Sequence, residues 1–335
     1  MPREQLDVGV IGVGSMGKHH ARVYNKLPEA NLVGVCDDDD EQAREVAQQY
    51  ATEAIRQTAL LERTDAVSIA VPTQYHFETA QACLDAGVAT FIEKPILGSL
   101  ERADAFQTAV NHADIPVQVG HIERFNPAVS KLAEIIPDLS VVSIRAQRLG
   151  PPPERTIDDS AVTDLMIHDI DVVLSLLGES PVDVHSAGVD DNRHAAALLE
   201  FESETMANLI ASRKTQRKVR TLEITAEECY VELDYIDQSI EIHRNSMPEY
   251  IRENGGVRFK HESIIERPSV SNAEPLREEL ASFCEAAATG GEPDVTVADG
   301  IEALAVARWI ELRSHGYQSA EPKLEREKEV LEADD

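Results

Sequence analysis

Basic side chains are scarce in this sequence. The 335 residues hold 31 Lys and Arg against 61 Asp and Glu, a formal charge of −30. A surface this acidic repels nucleic-acid phosphates and anionic lipid headgroups, which need Lys and Arg to neutralise them. No nucleic-acid partner and no membrane-surface role is expected. Lysine is the scarcer base, 9 residues against 22 Arg. Acidic excess often accompanies disorder, but 42% hydrophobic residues is an ordinary globular share and argues for a folded chain. A folded protein adapted to concentrated salt fits both facts, because counterions screen the self-repulsion. Such a halophilic protein should melt at a steeply higher temperature in molar KCl than in dilute buffer.

Cysteine is sparse too. Cys36, Cys83, Cys229 and Cys284 lie far apart, with no CxxC pair and no metal-ligand spacing. Neither a disulfide framework nor a zinc ribbon is expected, only buried reduced thiols. No stretch approaches the ~18 uncharged apolar residues of a spanning helix. The start, Met1-Pro2-Arg3-Glu4-Gln5, lacks the apolar core that follows a basic start in a signal peptide. A soluble, cytoplasmic protein is the expectation.

At roughly 150 residues per domain the length suggests about two domains. From Leu6 to about Gly120, short apolar runs alternate with stretches of helical period. Leu6–Ile11, Asn31–Cys36, Ala66–Val71, Thr90–Ile92 and Val117–Val119 read as strands; Met16–Lys26, Glu41–Tyr50, Tyr75–Ala86 and Leu100–His112 read as helices. This alternation implies right-handed crossovers and an α/β, Rossmann-type doubly wound parallel sheet. After Pro127 the rhythm changes. A helix (Pro127–Ile136), a strand (Leu139–Gln147), the stiff loop Gly150-Pro151-Pro152-Pro153 and an apolar helix (Val162–Leu177) come first. Strands then follow one another: Asp183–Val189, Ala195–Glu202, Thr205–Ser212, Arg220–Thr225, Tyr230–Asp234 and Ser239–His243, before two helices, Glu274–Thr289 and Val297–His315. Consecutive strands joined by short turns imply an α+β domain with a large, mostly antiparallel open sheet. The expected division is a dinucleotide-binding domain over 1–122, a substrate-binding and oligomerisation domain over 123–320, and a frayed charged tail, Glu321–Asp335. With helices enough for one side only, the sheet's other side suggests a homo-oligomer, dimer or tetramer, joined sheet to sheet.

Val8 to Gly17 holds a GxGxxG at Gly12, Gly14 and Gly17. It follows a strand and opens a helix, and Asp37 stands twenty positions after Gly17 at the end of the second strand. Gly12 permits the tight turn, Gly14 lets backbone N–H groups approach a pyrophosphate, and Gly17 lets helix and sheet close up. The pyrophosphate then sits on the helix N-terminus, so Ser15 and Met16 join the three glycines as expected contacts. Asp37 would accept hydrogen bonds from the adenosine ribose. Asp38, Asp39 and Asp40 follow it and no Arg precedes Arg44, so a 2′-phosphate would meet like charge. NAD is expected over NADP.

Further segments then fall in order: Val71-Pro72-Thr73-Gln74-Tyr75-His76, Glu93-Lys94-Pro95, Arg124-Phe125-Asn126-Pro127 and Asp164-Leu165-Met166-Ile167-His168-Asp169-Ile170-Asp171. With the glycine turn they span about residues 6–175, and on them the chain resembles the glucose–fructose oxidoreductase/inositol dehydrogenase family (Gfo/Idh/MocA). The resemblance implies an NAD-dependent dehydrogenase acting on CH–OH groups. It adds Pro72, Thr73, His76, Glu93 and Lys94 to the expected cofactor contacts, and it makes Lys94 the residue that touches both the nicotinamide ribose and the substrate oxygen. The residues agree with this. Glu93-Lys94-Pro95 ends a strand, where open parallel sheets bind ligands, and a cationic amine stabilises a developing alkoxide. His168 is the implied general base, since imidazole titrates near neutral pH. Asp164, four residues earlier in a helical stretch, shares its face and orients it. Asp171 is a further supporting candidate. Metal binding by this group would want another His or Cys nearby, and no metal is expected.

The chain departs from the family at two places. Thr73 stands where many relatives carry Asn. Asp159-Ser160-Ala161-Val162-Thr163 replaces the consecutive glycines often found before the helical acid, and this bulk should reshape the substrate pocket. Two basic clusters stand out against the acidic background: Arg145, Arg148 and Arg155 around the proline loop, and the run from Arg213 to Arg220. Cations beside the active-site loops would hold a diphosphate; alternatively, they pair with surplus carboxylates at a sheet edge. The stretches Val119–Pro127 and Arg148–Pro151 look most like the UDP-N-acetylglucosamine 3-dehydrogenase branch, with Arg124, Arg148 and His168 as expected substrate contacts. A free-sugar or inositol dehydrogenase and a non-catalytic NAD-binding regulator are the alternatives.

Overall fold

The computed structural model describes residues 5–152, 160–245, 249–253, 256–260 and 262–314. Pro153, Arg155, Asp159, His315 and the segment Glu321–Asp335, all named above, lie outside the described residues. The chain forms two compact units. The first takes the chain up to Phe125 together with Ala273–Ala305, and the second takes Asn126–Asn272 and the chain from Val306. The first unit is thus not one stretch of chain: residues 273–305 return to it after the second sheet.

In the first unit, strands β1 (Leu6–Ile11), β2 (Ala30–Cys36), β3 (Glu53–Ala54), β4 (Ala66–Ile69), β5 (Ala89–Glu93) and β6 (Val117–Gly120) form a sheet ordered β3-β2-β1-β4-β5-β6. Every pairing in it is parallel. Helices α1 (Ser15–Tyr24), α2 (Asp40–Gln49), α3 (Gln57–Leu61), α4 (His76–Ala86) and α5 (Ala103–Ala113) are the crossovers. Strands such as VGVI and AVSI are buried on both sides because helices cover both faces. One core packs Ile69, Ile92, Cys83, Leu97 and Phe106 together; the other packs Val8, Val10, Tyr24, Val35 and Phe91. Helix α8 (Pro275–Thr289) seals the second core with Leu276, Leu280 and Phe283. The order of connections reverses between β1 and β4, so the crevice beyond their carboxyl ends is the ligand position of this fold.

The second unit is built on eight strands: β7 (Val141–Leu149), β8 (Pro181–Val189), β9 (His194–Phe201), β10 (Met206–Ser212), β11 (Val219–Ala226), β12 (Tyr230–Asp234), β13 (Ser239–Asn245) and β16 (Ser263–Glu266), ordered β16-β13-β12-β11-β7-β10-β9-β8. A separate hairpin joins β14 (Glu249–Glu253) to β15 (Gly256–Lys260). The large sheet is antiparallel except between β7 and β10, which run parallel. A helical crossover separates those two strands in sequence, and β8–β9–β10 then returns as a meander beside β7. Side chains alternate strictly. Ile144, Ala146, Leu209, Leu222, Ile224, Val231 and Leu233 are buried, on the face that α6 (Pro127–Ile135) and α7 (Ile167–Leu177) pack against. The opposite row, Arg145, Asn208, Glu223 and Glu232, is exposed or half-buried. Helix α9 (Val297–Ser314) is divided between the units.

Several elements were not expected from sequence. β3 and α3 are two and five residues long, too short to carry a period. The segment after His243 supplies β14, β15 and β16, whose charged and polar residues hide the alternation. Residues Val162–Met166 form a π-helical turn that runs into α7, where a plain α-helix was expected.

Candidate active site

The first unit holds the elements of the dinucleotide site. Gly12 has φ +85°, and a Cβ there would lie 2.7 Å from the Val71 nitrogen. A Cβ on Gly17 would fall 1.8 Å from the Gly12 carbonyl oxygen. These two glycines are therefore required by the fold itself. Gly14 differs: a Cβ there would meet nothing within 4 Å, so the space above the turn is left open. Helix α1 begins at Ser15 after Gly14, which has no side chain to cap its first N–H groups. Open space over uncapped N–H groups suits the pyrophosphate of a dinucleotide.

Asp37, expected from the sequence at the adenosine ribose, is held by hydrogen bonds within its own loop and from the glycine turn. Its Oδ2 accepts from the Val13 N–H at 2.7 Å and from Gln42 Nε2 at 3.3 Å, and its Oδ1 accepts from the Asp39 N–H at 2.9 Å. Asp39 in turn caps α2, accepting from the N–H groups of Glu41 and Gln42. Arg44 reaches Asp40 at 3.1 Å. The acidic loop is thus held by its own hydrogen bonds, and the Arg nearest to it is engaged with a carboxylate.

The strand ends beyond β4 and β5 carry the other residues expected from the sequence at the cofactor. Pro72 is exposed, Thr73 half-buried, and Lys94 half-buried after the β5 strand. The Lys94–Pro95 peptide bond is cis. His76 is 1% exposed, and its ring nitrogens lie 3.0 Å from the carbonyl oxygens of Pro95 and Val71. That places the ring inside the unit rather than on the cofactor surface. Glu93 is buried as well, with Oε1 at 2.8 Å from His20 Nε2. Arg124 lies 3.5 Å from Asp299, which also accepts from the Thr296 N–H and hydroxyl at the start of α9.

In the second unit, Asp164 lies in the π turn and His168 in the first turn of α7, both half-buried. Arg213, itself buried, forms an ion pair with the Asp164 carboxylate. The bulk that replaces the family's glycines goes inward: Ala161 and Val162 are fully buried, and Ser160 Oγ accepts from the N–H groups of Val162 and Thr163 to cap the turn. Asp171 is buried on α7.

Arg148, expected at the substrate, has another task here. Its Nε and one terminal nitrogen donate to Asp169 at 2.9 and 2.8 Å, its guanidinium carbon lies 5.1 Å from the Tyr235 ring centroid, and it is 3% exposed. A buried two-pronged pair of this kind holds β7 against α7. The basic clusters largely resolve the same way. Lys214 pairs with Asp190 and Arg145 with Glu223, whereas Arg217 and Lys218 are exposed without an ion-pair partner among the described residues. Glu232, Glu241 and His243 approach one another on β12 and β13, where Glu241 is also held by Arg267 at 2.8 Å.

From the sequence His20 and Asp169 are given no role, and Arg213 reads only as part of a basic cluster, not as the partner of Asp164. Asp169 had a visible signal, a carboxylate inside an otherwise apolar helix. His20 stands three residues after Gly17, on the face of α1 that also buries Gly17, Ala21 and Tyr24.

Comparison with known proteins agrees with this arrangement. Residues 6–121 match the oxidoreductase family with an NAD-binding Rossmann fold (GFO_IDH_MocA), and residues 139–232 match the GFO/IDH/MocA C-terminal domain. A UDP-N-acetylglucosamine 3-dehydrogenase of Acidithiobacillus ferrooxidans is 37% identical over 246 residues, covering 71% of this chain and 77% of the relative. The solved structure of a UDP-N-acetylglucosamine 3-dehydrogenase from the same organism superposes with a TM-score of 0.84 at 31% identity, covering 94% of this chain and 99% of that one. An inositol 2-dehydrogenase of Rhizobium meliloti is 29% identical over 318 residues, covering 89% of this chain and 94% of the relative. The chain belongs to the Gfo/Idh/MocA oxidoreductase family. It is an NAD-dependent oxidoreductase acting on CH–OH groups.

Proposed function

We propose that this protein oxidises a ring hydroxyl of a nucleotide sugar, in the manner of a UDP-N-acetylglucosamine 3-dehydrogenase. The observation that carries the reading is the 37% identity to an enzyme of that name across 77% of its length. NAD, when bound, supplies the hydride acceptor. His168 removes the hydroxyl proton, Lys94 stabilises the negative charge that develops on the oxygen, and Asp164, steadied by Arg213, orients the imidazole. Gly12, Gly14, Ser15, Met16, Gly17, Asp37, Pro72 and Thr73 hold the dinucleotide. Arg217 and Lys218, exposed and free of carboxylate partners among the described residues, are the cations that would meet a diphosphate.

The relative aligned over 89% of this chain at 29% identity, an inositol 2-dehydrogenase, favours a second reading in which a free polyol is the substrate. Absorbance at 340 nm separates the two. UDP-N-acetylglucosamine, N-acetylglucosamine and myo-inositol are each offered with NAD, and NADH from the first alone is the expected result. NADH only from myo-inositol would replace this reading by the second, and NADH binding without turnover on any of the three would make the chain a regulator.

Three further properties belong to the proposal. Met206 and Val189, 45% and 60% exposed on the open face of the second sheet, support self-association through that face. The charge of −30 supports a salt-adapted protein, and the absence of any helix among the described residues long and apolar enough to cross a membrane is compatible with a cytoplasmic one.

A further inference from the structure

The two residues that flank Lys94 are each held by a buried histidine. On one side, His20 Nε2 donates to Glu93 Oε1 at 2.8 Å. His20 comes from α1, the helix behind the glycine turn, and is 0% exposed. The Phe91 and Tyr24 rings stand edge-on to it, at centroid distances of 5.3 and 6.5 Å. Glu93 Oε2 also accepts from the Lys94 N–H at 3.3 Å. On the other side, His76 from α4 faces the Pro95 carbonyl through Nδ1 and the Val71 carbonyl through Nε2, both at 3.0 Å.

Imidazole is an expensive filler for an apolar interior, because each buried ring nitrogen needs a partner or carries a desolvation cost. Leucine would fill either space without that demand. Each ring instead places one nitrogen on the short segment that carries Lys94: Nε2 of His20 on Glu93 and Nδ1 of His76 on the Pro95 carbonyl. Burial pushes the Glu93 carboxyl up, but the hydrogen bond and charge of His20, with Lys94 and His76 nearby, more than reverse this and hold it below its ordinary value. Glu93 is therefore a charged acceptor at neutral pH. For His76, burial pushes the ring toward its neutral form. A neutral ring has one N–H and donates to one of the two carbonyls.

We propose that His20 and His76 are positioning residues that fix the backbone on both sides of Lys94, His20 through the Glu93 carboxylate and His76 through the Pro95 carbonyl. The inference rests on the reading of Lys94 as the residue that stabilises the substrate oxygen. It makes a ranking that side-chain size alone does not. Gln places its amide nitrogen where Nε2 stands, and Asn places it where Nδ1 stands. At position 20 Gln should therefore outperform both Asn and Leu. At position 76 Asn, which keeps the Pro95 contact, should outperform Gln, which keeps only the Val71 contact.

The test uses the full chain with NAD and, in parallel, UDP-N-acetylglucosamine and myo-inositol. For each variant it reads kcat, KM and the affinity for NADH by fluorescence, with Lys94→Met as reference. In His20→Leu and His76→Gln, kcat should fall about a hundredfold, the loss expected when a reacting group shifts by an ångström. NADH affinity and KM should stay within about twofold, the mark of an intact fold. Should His20→Leu fail to fold, His20→Asn against His20→Gln carries the same comparison. Loss of activity in Lys94→Met with full kcat in His20→Leu and His76→Gln overturns this inference alone, as does Leu equal to Gln at position 20. Wild-type turnover in Lys94→Met, or no turnover of either substrate by the wild type, removes the reading beneath it.

Discussion

Arg148→Met is the substitution that most sharply separates the structure from the expectation drawn from sequence. If Arg148 were a substrate contact, its loss would raise KM and leave the fold alone. In the structure the guanidinium is 4% exposed as a side chain and its partner Asp169 2%, so solvent screens neither group. Removing the arginine strands a buried carboxylate, and breaking such a pair from one side costs about 3–5 kcal/mol. For a unit of this size each kcal/mol lowers the melting temperature by roughly 2–4 °C, so a fall of roughly 6–20 °C is expected. The same substitution combined with Asp169→Leu removes both charges and should recover most of that loss, since an apolar replacement of a whole buried pair is often neutral. Thermal unfolding of the two single variants and the double variant, in molar KCl to damp the surface charge, provides the measurement. A single-variant cost below about 1 kcal/mol, the range of exposed pairs, would refute the buried pairing and return Arg148 to the substrate side.

Other outcomes follow from the same geometry. Gly14→Val should fold and melt like the wild type yet lose NADH binding in a fluorescence titration, whereas Gly17→Ala, whose added methyl falls on the Gly12 carbonyl, should be destabilised before cofactor is considered. Replacing Asp37 by Ser should weaken NAD binding without admitting NADP, because Asp38 and Asp40 keep the loop acidic; equal affinities for the two dinucleotides would contradict the charge argument. Arg213→Met should lower kcat by freeing Asp164 while leaving NADH affinity unchanged, and an unaltered kcat would mean that the ion pair does not serve the helix end. The Glu93 carboxyl is held below its ordinary 4.5 in the folded chain, so its stabilising share is present at neutral pH and lost as the pH falls through that depressed value. The melting-temperature gap between wild type and Glu93→Gln should therefore narrow in acid, and a constant gap from pH 7 to pH 3 would refute it.

Local signals make part of this molecule legible in its sequence. Gly12 and Gly17 announce the turn because no other residue fits beside the Val71 nitrogen and the Gly12 carbonyl. The alternation of VGVI, AVSI and their neighbours with helical stretches announces the parallel sheet, because only strands covered on both faces are apolar throughout. What sequence did not reveal is pairing over distance. Arg148 and Asp169 are 21 residues apart, His20 and Glu93 are 73 apart, and Arg213 and Asp164 are 49 apart. Each of these charges reads locally as a free basic or acidic group; the packing of β7, β10 and the helical segment Val162–Leu177 brings two of the pairs together, and His20 on α1 meets Glu93 at the end of β5. The parallel pairing of β7 with β10 was hidden for a related reason: a run of consecutive strands looks antiparallel until the crossover through α7 is seen to return the chain beside its own start. The π turn at Val162–Met166 has no composition of its own to betray it.

The central claim is that an amine and an imidazole, Lys94 and His168, act together in the removal of a hydride from a sugar alcohol. Single-turnover mixing of the enzyme–NAD complex with UDP-N-acetylglucosamine, followed at 340 nm, tests it directly. The wild type should form NADH in proportion to enzyme, while Lys94→Met and His168→Asn, each saturated with NAD, form it slower by several orders of magnitude. NADH produced by either variant at the wild-type rate would contradict the claim.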